Sequence, residues 1–176
     1  STGDGFNSSD NFYNLSEMAS PFLIRNCRFN AYRGRGILVS SRNGVIENNL
    51  FNTNDGLGVV FSYESQLWAD GPLAQNITIR NNKFHARWEG HMPAIYAHIV
   101  TRDGATVESR PYKNFRIEDN RFFNYTKPVV ELQAVNGVTL KNNRISIPDG
   151  APADYVPVVL KNCENITTGN LKIESL

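Results

Sequence analysis

One short pattern recurs along this chain and limits the folds open to it. Each copy has an aliphatic residue, a charged residue, two turn residues that are usually Asn, one further residue and an apolar residue. The six copies span Ile24–Phe29, Ile46–Phe51, Ile79–Phe84, Ile117–Phe122, Leu140–Ile145 and, in degraded form, Leu160–Asn165. The alternation predicts a strand, and Asn tolerates the left-handed backbone of a tight turn. Recurrence about every 22 residues is typical of a solenoid, so we predict an all-β, right-handed parallel β-helix of about six to seven coils.

A second apolar strand follows in each of five coils. These segments are Gly36–Ser40, Gly58–Ser62, Ala94–His98, Pro128–Leu132 and Pro157–Leu160. We expect Phe29, Phe51, Phe84 and Phe122 to stack inside the solenoid, where aromatic rings add to packing. Residues 1–176 are interpreted as a single domain and, because no N-terminal cap is evident, as part of a longer solenoid.

Composition limits the function classes. The chain has 18 Lys and Arg against 17 Asp and Glu, so its charge does not favour nucleic acid or an anionic membrane surface as a partner. The longest apolar runs are too short to span a bilayer. The pattern puts Cys27 and Cys163 in the first and last copies, about five rungs of ~4.8 Å apart, which excludes an intramolecular disulfide. We expect neither a metal nor a cofactor.

The residue after each leading aliphatic should face solvent. These residues are Arg25, Glu47, Arg80, Glu118, Lys141 and Lys161. In a parallel, in-register sheet they lie side by side, and their alternating signs over the first four rungs make neighbours attractive. We interpret them as a structural ladder.

The intervals between copies are uneven, and the long ones imply insertions. The insertions fall at residues 63–75, 85–92 and 101–113, with further ones at 8–21 and 147–156. Insertions in solenoids often mark one face, and that face often binds ligands. We therefore expect the functional residues there.

Aromatic and charged residues crowd the first two long insertions. They include Tyr63, Glu64, Trp68, Asp70, His85, Trp88, Glu89 and His91. Sugars offer an apolar face for stacking and hydroxyls for hydrogen bonds, and these residue types suit both. The alternative is that Trp68 and Trp88 anchor long loops onto the solenoid. His85, Glu89 and His91 match no zinc-binding spacing.

The N-terminal segment holds a further candidate. If residues 8–21 are an insertion, Gly5-Phe6 aligns with Gly36-Ile37, and Asp4 lies one rung from Arg35. A cation at that distance favours the ionised carboxylate, which could act as a general base. The alternative is an ordinary turn at a frayed chain end.

These residues resemble a known family. Ile24–Phe29, Arg33-Gly-Arg-Gly-Ile-Leu-Val39, Val45–Phe51, Trp68-Ala-Asp-Gly-Pro72 and Asn76–Phe84 are similar to segments of the α-1,3-galactosidases of glycoside hydrolase family 110. The resemblance is best over residues 22–84, and beyond them it becomes that of a general pectate-lyase-like solenoid. The Arg-Gly-Arg-Gly strand followed by a Trp-containing loop is its most specific part.

The resemblance implies hydrolysis with inversion by carboxylates on a coil upstream of the Arg-Gly-Arg-Gly segment. The family's paired-Asp motif matches best at Asp4, with Gly3 in place of the second Asp. Inversion needs an acid and a base about 6.5–9.5 Å apart. We assign Asp4, Glu64 and Asp70 as candidate catalytic carboxylates. The candidate substrate-binding residues are Arg33, Arg35, Tyr63, Trp68 and Trp88.

The leading hypothesis is therefore a carbohydrate-active β-helix that hydrolyses terminal α-galactosides or related glycans, with an oligo- or polysaccharide as substrate and an extracellular or periplasmic location. One alternative is a non-catalytic, carbohydrate-binding or structural solenoid, such as a tailspike or adhesin segment. A polysaccharide lyase would need clustered acidic calcium ligands, whereas Asp55, Asp103 and Asp119 are scattered. Assembly with further coils or with other copies stays open.

Overall fold

The chain winds through short strands, three to a coil. The computed structural model describes residues 13–14, 16, 20–64, 71–87, 91–101, 107–149 and 151–175. The first three coils contain β1 (Phe22–Arg25), β2 (Arg28–Tyr32), β3 (Ile37–Leu38); β4 (Arg42–Glu47), β5 (Leu50–Thr53), β6 (Val59–Glu64); β7 (Gln75–Arg80), β8 (Lys83–Ala86) and β9 (Ile95–Val100). The remaining coils contain β10 (Tyr112–Glu118), β11 (Arg121–Phe123), β12 (Val130–Gln133); β13 (Val135–Lys141), β14 (Arg144–Ile147), β15 (Val158–Lys161); β16 (Glu164–Gly169) and β17 (Lys172–Ser175).

The strands stack into three parallel sheets that form the sides of a solenoid. Sheet one has the order β1-β4-β7-β10-β13-β16, sheet two β2-β5-β8-β11-β14-β17, and sheet three β3-β6-β9-β12-β15. Each strand pairs with its counterpart one coil away, as in Ile24↔Ile46↔Ile79. The predicted all-β parallel β-helix is confirmed, and its right-handed winding is the hand that parallel crossover connections favour.

Apolar residues from the three sheets fill the interior in columns. The rings of Phe29, Phe51, Phe84 and Phe122 stack with centroid distances of 4.8, 4.7 and 5.1 Å, as predicted. Ile46, Ile79 and Ile117 form a second column with 1% exposure or less. Strand alternation puts these residues inside and their neighbours outside.

The paired turn residues do two different things at the corner between sheets one and two. The first of each pair has a left-handed backbone, with φ between 53° and 56° at Asn48, Asn81, Asp119 and Asn142. The second is a buried Asn, and each side-chain Oδ1 accepts the backbone N–H of the equivalent residue one coil earlier. The buried Asn residues are Asn49, Asn82, Asn120 and Asn143.

The degraded sixth copy of the repeat was wrongly placed. Lys161 pairs with Gln133 in sheet three, and its Nζ lies 2.6 Å from Glu131 Oε1. In sheet one it is Gly169 that pairs with Lys141, so the sixth copy starts at Thr168. The segment Leu160-Lys-Asn imitates the repeat because the turn from sheet three to sheet one also uses a left-handed Asn, at residue 162.

The expected ladder of charged residues on sheet one therefore ends at Lys141, because Lys161 lies in sheet three and Gly169 takes its place. Arg80 Nη2 lies 2.7 Å from Glu47 Oε2, as an attractive neighbouring pair should. Glu118 instead pairs with Arg116 of its own strand, at 2.8 Å. Cys27 and Cys163 are both free, but Cys163 lies in the turn from sheet three to sheet one and not at the corner of Cys27, where the repeat placed it.

The long connections between strands lie at the two corners that border sheet three, which agrees with the expectation that the insertions mark one face. Residues 65–74 and 101–111 join sheet three to sheet one, whereas residues 87–94 and 148–157 join sheet two to sheet three. The uneven length of these connections does not disturb the stack, because the strands on either side of them keep their in-register pairing.

Candidate functional site

Polar and aromatic side chains gather on the outer face of sheet three. In β6 and β9, Phe61 and Ala97 are fully buried, so strand alternation turns the flanking residues outward. The register sets Ser62 beside His98 and Tyr96 beside Glu131. We call Ser62, Glu64, Tyr96, His98, Glu131 and Lys161 the sheet-three face.

His98 lies at the centre of this face. Its Nε2 is 3.1 Å from Ser62 Oγ, and its ring stacks on Tyr96 with centroids 4.6 Å apart. Nδ1 is buried and has no hydrogen-bond partner in the described part of the chain. A buried polar atom without a partner is costly, and such a cost in a folded protein points to a candidate functional residue.

The charges around His98 define the electrostatics of the face. Burial lowers the pKa of His98; the carboxylates of Glu64 and Glu131 act to raise it, and the guanidinium of Arg35 acts to lower it. The imidazole is therefore mostly neutral near pH 7, able both to donate and to accept a hydrogen bond.

One of the two carboxylates on this face is already engaged. The hydrogen bond from Lys161 to Glu131 raises the pKa of Lys161, and burial together with the charge of Glu131 raises the pKa of Tyr96. Glu64 forms no ion pair with another described residue. Of this pair, Glu64 is thus the better placed to exchange a proton with a ligand.

Two glycines shape the Arg-Gly-Arg-Gly segment ahead of β3. Gly34 has φ 82°, a left-handed conformation that favours glycine. A Cβ on Gly36 would lie 2.6 Å from the Gly58 carbonyl oxygen of the next coil, so only glycine fits that close approach. Arg33 and Arg35 are both exposed.

Tyr63 takes part in a separate groove at the corner between sheets three and one. The groove has a volume of about 380 Å³ and is lined by Tyr13, Arg42, Tyr63, Pro72, Leu73, Gln75, Pro111 and Lys113. It adjoins the sheet-three face because Tyr63 and Glu64 end the same strand. Tyr112 links the two features, since its hydroxyl donates to the carbonyl of His98 at 3.0 Å.

The structure brings together some of the site residues predicted from sequence. Glu64 and Arg35 both act on His98, and Tyr63 lies in the adjoining groove. Arg33 lies two residues before Arg35 and is exposed. Among the described residues, no hydrogen bond or ion pair joins it to His98. The roles of the remaining predicted residues stay predictions, because these residues lie outside the part of the chain that the structure describes: Asp4, Trp68, Asp70 and Trp88.

Sequence reasoning missed most of the sheet-three face. Ser62, Tyr96, His98 and Glu131 were seen only as members of apolar strands, and Lys161 was assigned to the charge ladder of sheet one. Aligning those strands and reading their outward positions would have found Ser62 beside His98. The unequal loop lengths between them hide that register.

The described residues contain neither a cluster of potential metal ligands nor an apolar helix long enough to span a bilayer. No group of three or more His, Cys, Asp or Glu side chains in these residues could hold a metal ion. Nor do they include a helix of the length and apolarity that crossing a bilayer requires.

Comparison with known proteins gives one consistent relationship. A family model described as a right-handed beta helix region matches residues 7–90. The chain is 31% identical over 160 residues to alpha-1,3-galactosidase B of Bacteroides thetaiotaomicron, which covers 86% of this chain and 26% of that protein. It is 29% identical over 135 residues to alpha-1,3-galactosidase A of Bacteroides fragilis, covering 74% of this chain and 22% of that protein.

A third relative gives the same result. The chain is 32% identical over 119 residues to alpha-1,3-galactosidase A of Peterkaempfera griseoplana, covering 66% of this chain and 16% of that protein. The resemblance stated from the sequence is therefore confirmed. The chain spans about a quarter of the length of the first two relatives.

Proposed function

We propose that this right-handed parallel β-helix, related over most of its length to one stretch of the α-1,3-galactosidases, is carbohydrate-active and takes part in hydrolysing terminal α-galactosides or related glycans. The observation that carries the proposal is the similarity to alpha-1,3-galactosidase B over 86% of the chain. The chemistry of the sheet-three face supports it independently.

The sheet-three face suits a sugar. The ring of Tyr96 offers a flat surface for the apolar side of a pyranose, as aromatic rings do in carbohydrate sites. The half-buried Ser62 supplies a hydroxyl for a hydrogen bond to the sugar, and the neutral imidazole of His98 orients that hydroxyl through the 3.1 Å contact between Nε2 and Oγ.

Glu64 is the carboxylate that we assign to proton transfer. Lys161 Nζ lies 2.6 Å from Glu131 Oε1, so the Glu131 carboxylate is already engaged in an ion pair. Inverting hydrolysis needs a second carboxyl group about 6.5–9.5 Å from the first. Asp4 and Asp70 are our candidates for it, and Arg35 and Trp68 for holding the sugar.

The test is hydrolysis of a panel of p-nitrophenyl glycosides, including the α-galactoside, with the anomer released followed by NMR. We expect β-galactose as the first product. Glu64→Gln should lower kcat at least about 100-fold, because it removes a general acid or base. Glu118→Gln is the matched control, since Glu118 also ends a strand but lies on sheet one.

Two outcomes would contradict the proposal. Release of α-galactose would exclude inversion, and equal activity of the Glu64→Gln and Glu118→Gln variants would remove Glu64 from the mechanism. Equal thermal unfolding midpoints in both variants are needed to separate activity from stability.

A non-catalytic carbohydrate-binding solenoid is the second candidate. The Glu131–Lys161 pair favours it, because it withdraws one of the two carboxylates of the sheet-three face from catalysis. This candidate requires that galactosides bind and perturb the His98 NMR resonances without turnover. In either case we propose an extracellular or periplasmic location, where such glycans are encountered.

A further inference from the structure

The outer face of sheet two carries a row of cations along the solenoid axis. In-register pairing sets Lys83, Arg121, Arg144 and Lys172 next to one another in four consecutive coils. All four side chains are exposed. Neighbouring strands lie about 4.8 Å apart, so the row extends over about 14 Å. We call these four residues the basic row.

Most of this charge is uncompensated. Like charges directly opposite in a sheet repel one another, so such a row lowers the stability of the fold slightly unless neighbouring anions or a bound ligand compensate its charge. Of the four, Lys172 has an ion-pair partner among the described residues, Glu174. Two described anions lie nearby. One is Glu174, whose pKa Arg121 and Arg144 also act to lower, and the other is Asp119, in the turn before β11.

Two depressions accompany the basic row. On one side is a polar groove of about 670 Å³ along the corner with sheet one, lined by the basic row and by turn residues that include Asn81, Asn142 and Asn170. On the other is a shallower hollow of about 390 Å³ lined by Leu50, Asn52, Lys83, His85, Phe123 and Asn124. The face thus combines cations, amides and one half-buried aromatic ring.

We propose that the basic row binds an anionic polysaccharide, one that bears carboxylate or sulfate groups along an extended chain. The rung spacing is comparable with the length of one pyranose unit, so successive anionic groups can meet successive cations. Phe123 offers a stacking surface for the apolar side of a sugar, and the amides of Asn52 and Asn124 suit hydroxyls. The site lies on a different sheet from the sheet-three face and does not depend on it.

A nucleic acid fits this face less well. Binding to a duplex rests on many basic contacts to phosphates, whereas this row offers four cations with Asp119 and Glu174 beside it, and the whole chain has a formal net charge of +1. Single strands are commonly bound by stacking of successive bases on a row of aromatic rings, whereas the described part of this face has Phe123 and His85 packed edge to face on each other.

The experiment measures binding of the chain by calorimetry at low ionic strength to dextran sulfate, polygalacturonate, neutral dextran and a DNA duplex. We expect one or both of the anionic polysaccharides to bind, dextran not to bind, and affinity to fall with added salt. The stronger of the two anionic ligands identifies sulfate or carboxylate as the preferred group.

A triple variant, Lys83→Gln with Arg121→Gln and Arg144→Gln, should weaken this binding about tenfold. The matched control is Arg25→Gln with Arg116→Gln and Lys141→Gln, which removes the same charge from the outer face of sheet one and should change affinity less than about twofold. All six side chains are exposed, so far-UV circular dichroism should be unchanged in both variants.

Three results would overturn the proposal. They are no binding of either anionic polysaccharide, an equal loss of affinity in the two triple variants, and DNA binding as tight as that of the better polysaccharide. An equal loss would mean that net charge acts rather than the basic row.

Discussion

Replacing Asn120 by Ala would break the ladder of buried Asn residues at its centre. The Asn120 Oδ1 accepts hydrogen bonds from the backbone N–H and the side-chain amide of Asn82, at 3.0 and 3.1 Å. Its own amide donates to the carbonyl of Ile79 at 2.9 Å and to Asn143 Oδ1 at 3.1 Å. Asn120 is fully buried, so water does not replace these partners freely.

The loss can be worked out from the groups that are left without a partner. The Asn82 side chain keeps its bond to Ile46, and Asn143 Oδ1 keeps the backbone N–H of residue 120. The Asn82 backbone N–H and the Ile79 carbonyl lose the partners that Asn120 gave them. At about 1–3 kcal/mol for each buried orphan, the free energy of unfolding should fall by about 2–6 kcal/mol.

Urea denaturation followed by circular dichroism measures this change. Asn52→Ala is the matched control, because the Asn52 amide makes a single exposed bond to Asn30 Oδ1 at 2.7 Å. The control should alter the free energy of unfolding by no more than about 0.5 kcal/mol. A loss in Asn120→Ala below about 1 kcal/mol would refute the reasoning, since it would mean that the two orphaned groups find other partners.

Two further predictions concern packing and pH. Gly58→Ala should lower the free energy of unfolding by about 1–3 kcal/mol, because the new Cβ would lie 2.9 Å from the Ala94 carbonyl oxygen and 2.6 Å from the Phe84 ring. Gly169→Ala should not lower the free energy of unfolding, because the atom nearest to its new Cβ would be 3.9 Å away. Equal urea midpoints for the two variants would contradict this account. Burial raises the pKa of Tyr32 and Tyr155 to about 12 and that of Tyr125 well above its ordinary value of 10.0. These tyrosines ionise more readily in the unfolded chain, so their contribution is complete below pH 10 and the melting temperature should fall as pH rises further. Tyr125→Phe should lessen that fall, and an unchanged slope between about pH 9 and about pH 12 would count against the assignment.

The repeat could be predicted from the sequence because local conformational preferences determine it. Alternation set the two faces of each strand, and Asn at a left-handed turn set the corners, so sheets one and two and the Phe column followed. The sixth copy was misplaced because a left-handed Asn also ends β15, at residue 162. A local pattern does not distinguish one corner of the solenoid from another.

The site was less predictable because it depends on which strands become neighbours. Glu64 and Arg35 could be selected by residue type and by the family resemblance. Ser62 and His98 are 36 residues apart, and their contact follows from a register that holds across an insertion of unequal length. The ion pair between Lys161 and Glu131 likewise depends on the true position of the last coil.

The absence of hairpins among the described strands has a consequence for how the chain folds. Equivalent positions of successive coils lie 22, 33, 38 and 23 residues apart, so every paired strand requires closure of a whole coil. Closing 38 residues rather than 22 costs only about 0.5 kcal/mol more, so the insertions slow folding less than the lack of any shorter-range pairing does. The nucleus therefore contains at least two stacked coils, and until it forms each strand has open edges. Refolding yield should depend on protein concentration, because those edges can pair with another chain as readily as with the next coil.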